Sequence, residues 1–261
     1  MLLFAALVLQ APVTLGGDAV TEASGLVVSA TQPGIFWTHN DSGGTPTLYA
    51  FDAAGRPKAT VAVTGAKAKD WEDLASGPFP GKKGTWLYPA DIGDNKLSRE
   101  SPCVYAIPEP KIGATESAPA IRLGVRYPDG PHNAECLLCD PRDGRLTIVT
   151  KEKSGVSGVY RFPARPMADN LLTKVSTFKV PGISPLVTGG SFRPDGKGVA
   201  LVTYTHVIEM SGTEFWKSKP HITLQPMLQQ LEAVAYARDG RSLWLTSEGE
   251  HAPLVKIKAG F

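Results

Sequence analysis

Cysteine is scarce in this chain, with three in 261 residues, too few for a disulfide framework or for two paired zinc-binding loops. Cys136 and Cys139 have CxxC spacing. "AECLLCDP" reads as a strand, however, and positions i and i+3 of a strand face opposite sides, a poor geometry for sharing a metal or a disulfide. The three read as buried thiols, with a bridge from Cys103 to either of the others left open. Runs of like charge are also missing. Lys and Arg number 27 against 25 Asp and Glu, a net charge of +2, and they are interspersed, so composition gives no basis for nucleic-acid binding. Long apolar runs are missing too: residues 2–9 (LLFAALVL) are too short to span a bilayer, so no integral membrane segment is expected. That stretch, within residues 1–20, reads either as a signal-peptide core, which would make the protein secreted or periplasmic, or as an outer strand. No Lys or Arg precedes it, and "LQAPVTLGG" holds no clean small-x-small cleavage site. There is no Walker A sequence, GxGxxG, HExxH or GxSxG, and "SGVSGV" at 154–159 misses the nucleophile elbow.

Glycine (27) and proline (22) are abundant, and 42% of residues are apolar, as in a globular protein rich in turns. No long stretch has a 3.6-residue period. Short runs rich in Val, Leu, Tyr and Trp recur between Gly, Pro and Asp, an all-β pattern. Three pairs of runs are joined by Asp-Gly (Asp143-Gly144, Asp195-Gly196, Asp239-Gly240), a strong hairpin signal. Aligned on these turns, five hairpins start at Ser24, Glu72, Glu135, Thr188 and Glu232, spaced by 48, 63, 53 and 44 residues. Their second strands end at Asp41, Asp91, Glu152, Thr205 and Glu248.

Third strands follow at "TLYAFD", "CVYAIPEP", "GVYRFP" and "LVKIKA", and fourth strands at "IRLGVRYP", "KVSTFKVP" and "HITLQP". The expectation is a single five-bladed β-propeller over residues 21–261, about four antiparallel strands per blade, closed by a strand from residues near Leu9 to Leu15. An open sandwich of the same hairpins is the rival layout.

In a propeller the start of each first strand and the end of each second strand share one mouth of the central channel. Seven of those ten positions are acidic. Two carboxylates about 6 Å apart repel by roughly 3 kcal/mol at an effective dielectric of 20, so the ring calls for a cation, shared protons or basic neighbours. The candidate ligands are carboxylate and hydroxyl oxygens, which suit Ca²⁺. The alternative is that these acids bond backbone amides or face water.

The stretch "PADIGDN" (89–95) fails as an EF-hand loop, because Asp91, Ile92, Gly93, Asp94, Asn95 and Lys96 lack the required alternation. It reads instead as blade 2's copy of the acidic strand end, with Asp94 and Asn95 as ligand contacts. Asp70 and Asp73 flank Glu72, and Trp71 is expected to pack on the next blade. His39, His132, His206 and His251 fall within three residues of a ring position, and any one could serve as acid, base or loop anchor. Lys151 is placed to meet an anion or to pair with acid. Blade 4, threonine at both positions, leaves one side of the mouth neutral beside His206.

"SGLVVS…WTHNDSG…LYAFD", "NAECLLCDPRDGRLTIVTKE" and "LEAVAYARDGRSLWLTSEGE" resemble the blade signature of secreted bacterial five-bladed propellers of the SdiA-regulated family. The inner ring Ser, Glu, Glu, Thr, Glu is also similar to that of calcium-activated nucleotidases, although segments matching their nucleotide contacts are missing. The second resemblance implies channel calcium on Ser24, Glu72, Glu135, Thr188 and Glu232. The functional expectation is a monomeric hydrolase of a phosphate ester, phosphoanhydride or other small anion. Asp41, Asp91 or Glu248 would orient water, and Lys151, His39 or His206 would steady developing charge. The alternative is a non-catalytic propeller that grips a glycan, peptide or protein, and glycoside hydrolysis by paired carboxylates ranks third.

Overall fold

The computed structural model describes residues 4–5, 7–8, 11–41, 43–224, 228 and 230–260. Five small sheets follow one another along the chain and form the expected five-bladed β-propeller. Their first strands are Ala23–Val28, Trp71–Pro78, Ala134–Cys139, Val187–Phe192 and Leu231–Tyr236, and each pairs antiparallel with the strand that follows it. Blade 3's first strand, "AECLLC", is buried at every position. An inner strand has a blade on either side, which erases the polar–apolar alternation of a sheet with one wet face. The alternation returns on outer strands such as Pro57–Ala62.

The expected third and fourth strands form, with "HITLQP" described as His221–Leu224 and its last two residues outside the described set. Two blades gain a fifth strand. Asp169–Leu171 runs parallel to Ile121–Arg126 on blade 2, and Phe4–Ala5 runs parallel to His221–Leu224 on blade 4. Val13–Thr14 pairs antiparallel with Pro253–Lys258, Val8 bridges Ile257, and the Leu15 amide donates to the Ala252 carbonyl at 2.9 Å. The two ends of the chain thus share blade 5. Leu9 and Gln10 lie outside the described residues.

The apolar interior is divided into five layers, one at each contact between neighbouring blades. Trp37 and Trp71 belong to the layer between blades 1 and 2. Trp71 therefore packs on the preceding blade, edge-on to His39 at 5.3 Å, and not on the next one. Trp37 is fully buried and donates its indole N–H to Glu109 Oε1 at 3.2 Å. Trp37→Ala is expected to destabilise the protein by about 3–5 kcal/mol, read as a lower urea midpoint; a loss under 1 kcal/mol would contradict the layered core. All three cysteines are free and buried. Among the described residues no helix is long and apolar enough to cross a membrane.

Candidate functional site

Each first strand carries an irregularity at its second or third residue, where the pairing register slips by one. In blades 2 to 5 the unpaired residue is Glu72, Glu135, Thr188 or Glu232, and in blade 1 it is Gly25, next to Ser24. A bulge releases one residue from the ladder and re-aims its side chain. Four of the five expected ring residues therefore sit on the same local device.

Their neighbours separate them into two kinds. The Ser24 hydroxyl donates to the Glu72 carbonyl at 2.5 Å, and the Thr188 hydroxyl donates to the Leu231 carbonyl at 2.7 Å. Both hydroxyls staple one blade to the next. Glu72, Glu135 and Glu232 are each 5% exposed and crowd the same mouth.

The bulges also shift the outer positions. The amides of Asp41, Lys151 and Glu248 donate to the carbonyls of Glu22, Asn133 and Gln230, each residue lying just before a first strand. Lys151, and not Glu152, is thus blade 3's equivalent of Asp41 and Glu248. Asp91 pairs with Trp71, one step inside that level, and blade 4's second strand ends at Thr203, short of Thr205. The expected register takes the acid itself as the strand end, and a one-residue bulge moves every following side chain to the other face.

Around the mouth stand six carboxylates, those of Asp41, Asp70, Glu72, Glu135, Glu232 and Glu248, with the ammonium of Lys151 ion-paired among them and Lys69 and Arg99 acting on Asp70. Lys151 Nζ lies 2.5 Å from Glu135 Oε2 and 2.6 Å from the Tyr204 hydroxyl. Carboxylate oxygens of Asp41, Asp70 and Glu72 lie within 4.8 Å of one another. Gly93 lets two of them pack against its backbone: a Cβ there would come within 2.0 Å of Glu72 Oε1 and 2.4 Å of Asp70 Oδ2.

Burial governs the electrostatics. It raises the Glu72 pKa well above the usual carboxylate range, with Glu135, Asp41 and Asp70 adding repulsion. Burial, then repulsion from Glu135 and Glu248, takes Glu232 to about 9. Glu135, Asp70 and Glu248 are also pushed up, chiefly by burial. Deeper in the channel the Asp73 carboxylate, fully buried, accepts from the Leu74 and Leu137 amides at 2.8 Å and is raised to about 7 by desolvation.

No family model matches the sequence, and no curated protein sequence matches it. Two solved structures of glucose dehydrogenase match the chain. One has 11% identity and a TM-score of 0.56, the other 12% and 0.55, and each alignment covers 96% of this chain and 100% of that one. The likeness is one of fold. At such identity it carries no chemistry across, and the resemblance to the SdiA-regulated propellers and the nucleotidases rests on the short motifs alone.

The remaining candidate residues stand away from the carboxylate cluster or are held by other groups. Asp91 accepts from the Asp70 amide at 2.9 Å and pairs with Arg99 at 2.6 Å, both side chains under 10% exposed. Asp94 accepts from the Ser98 and Arg99 amides at 2.8 and 3.0 Å, and Asn95 accepts from Asn133 at 3.2 Å, so both shape the loop from blade 2 to its third strand. His39 and His206 are fully buried. Burial lowers the His39 pKa to about 4 and also depresses that of His206, whose Nδ1 lies 2.6 Å from the Thr205 hydroxyl. Glu152 and His132 bond each other at 2.9 Å.

Sequence reasoning passes over Asp70, Gly93 and Tyr204 as site residues. Asp70 is accessible to it, since i and i+2 of a strand share a face and Glu72 is two residues on; Gly93 and Tyr204 carry no local signal. Asp91→Ala would leave the buried Arg99 without its carboxylate, holding only the Gly93 carbonyl at 2.6 Å, a loss of about 3 kcal/mol. A lowered melting temperature for this variant is the expected result, and an unchanged one would show that the pair is not a stabilising element.

Proposed function

We propose that the acidic mouth holds a divalent cation, calcium by its donor chemistry, and that the protein hydrolyses a small anionic substrate there, a phosphate ester or phosphoanhydride. The observation that carries this reading is the group Asp41, Asp70 and Glu72, within 4.8 Å of one another, two of them packed so close to the Gly93 backbone that any side chain at position 93 would push them apart. The donors are all oxygen, as a hard cation requires. Calcium bound by these three residues would supply positive charge to anionic oxygens of the substrate.

The chain's own groups complete the site. Lys151, fixed between Glu135 and Tyr204, meets the substrate's remaining negative charge. Glu232, kept protonated at neutral pH by its burial, donates its proton to the leaving oxygen. Glu248, half-buried at the rim and held by Gln230 at 2.9 Å, accepts a proton from the attacking water.

A panel of nucleotides and aryl phosphates assayed with calcium tests the proposal. Turnover by the wild type is expected, falling at least about 100-fold in Glu232→Gln. Absence of turnover across the panel would favour the second reading, a calcium-stiffened module that binds a small anion or glycan without catalysis. That reading draws on one observation: the two histidines expected at the site are both fully buried.

A further inference from the structure

The far end of the channel differs from the acidic mouth in both shape and charge. There the first strands of all five blades surround an open cavity of about 350 Å³, whose lining combines Leu26, Leu74, Leu137 and Phe192 with the hydroxyl residues Ser76 and Ser191. Behind its wall, and not on the lining, lies Asp73, whose carboxylate accepts from the amides of two lining residues, Leu74 and Leu137. The volume falls within the range of small-molecule sites, roughly 300–1,000 Å³.

The hairpin turns around this end (79–84, 140–145, 193–197 and 237–241) contain eight Lys and Arg against four Asp and no Glu. Three of those arginines occupy corresponding turns in successive blades. Arg142 pairs with Asp140 and Arg193 with Asp195. Each also lies across the turn glycine of the next blade, where a Cβ on Gly196 or Gly240 would meet it. Arg238 breaks the pattern. Blade 1's turn glycine, Gly34, has nothing within 4 Å of its Cβ position. Among the described residues Arg238 makes no ion pair, and it is exposed on the lining of the cavity.

We propose that this cavity is a second binding site, for a small amphipathic monoanion such as a medium-chain or aryl carboxylate, its apolar body among Leu26, Leu137 and Phe192 and its anionic head on Arg238. The buried Asp73 carboxylate behind the inner wall favours this orientation, because the opposite one would carry the anionic head toward it and away from Arg238. The arrangement is charge-selective: an apolar chain fits the walls whatever its head, while the rim rewards negative charge alone.

Titration calorimetry with octanoate, octanol and octylammonium tests the site on the wild type, on Arg238→Ala and on Ala30→Trp, which places a ring across the exposed rim. Octanoate is expected to bind the wild type with one equivalent, about tenfold or more tighter than octanol or octylammonium. Arg238→Ala should remove that preference, and Ala30→Trp should remove binding, both with unchanged melting temperature. Gly93→Ala, at the other mouth, should bind octanoate as the wild type does. No octanoate binding, equal binding of octylammonium, or binding unaffected by either rim variant would overturn the proposal.

Discussion

Stripping divalent cations with a chelator is expected to lower the melting temperature by roughly 5–10 °C relative to protein in excess calcium. The size of the effect follows from mass action. A ligand bound only by the folded state at about 100 times its Kd contributes about 2.7 kcal/mol, and a chain of this size changes its melting temperature by roughly 2–4 °C per kcal/mol. The decisive variant is Gly93→Ala. Its backbone is not in the left-handed region, so alanine fits the main chain. The new methyl would displace the tips of Glu72 and Asp70, which are flexible ends able to swing aside at little cost to folding. Gly93→Ala should therefore melt near the chelated wild type and gain nothing from calcium. If calcium raises the melting temperature of Gly93→Ala as much as that of the wild type, the cation is bound elsewhere; if it raises neither, the site is not a calcium site.

The second large effect is a stability that falls as pH rises when the cation is absent. Glu72, Glu135, Glu232, Asp70, Asp73 and Glu248 all have pKa values above those of free side chains, burial being the largest cause in each. The folded state therefore keeps protons that the unfolded chain has released, and stability declines wherever that holds. Their contribution is fully present below about pH 4. It is lost through about pH 7 for Asp73, whose ordinary value is 3.8, and through about pH 9 for Glu232, whose ordinary value is 4.5. A tenfold difference in proton affinity between the folded and unfolded states corresponds to about 1.4 kcal/mol, so the decline amounts to at least a few kcal/mol. Urea midpoints measured in chelator from pH 5 to 9 should fall steadily, with a shallower fall in Glu232→Gln. Calcium should flatten the wild-type profile, because it favours the ionised carboxylates. A chelated profile that rose toward pH 8 would mean that the mouth carboxylates are stabilised by groups other than a bound cation.

The two effects arise from the same cause, which is acid concentrated where the bulges aim it. The concentration was legible in the chain: three glutamates at equivalent blade positions in a slightly basic protein have no compositional explanation. Their division of labour with Ser24 and Thr188 was not, because whether a hydroxyl faces a cation or a neighbouring carbonyl depends on the adjacent blade. Asp91 makes the same point from the other side. Acidic, at a strand end and two residues before a glycine, it has every local mark of a ligand, and Arg99, eight residues on, takes it up. Lys151 stands one position from the acid expected for blade 3, and the bulge at Glu135 brings the lysine to the mouth in that acid's place.

By itself the sequence determined the architecture. Runs with a strand's composition, Asp-Gly turns whose glycines take positive φ, and the spacing of the hairpins are local properties, and local backbone preference is what makes a blade. The tertiary structure decided which acids meet. Asp41 comes from blade 1, while Asp70, Glu72 and Gly93 come from the two ends of blade 2's hairpin. Their convergence depends on a one-residue bulge and on the packing of one blade against the next. A period-2 pattern cannot encode such a shift, because slipping by one residue exchanges the faces of a strand and leaves its composition unchanged. In "PADIGDN" the aspartates hold the loop, and the glycine between them lets the carboxylates of Glu72 and Asp70 come together.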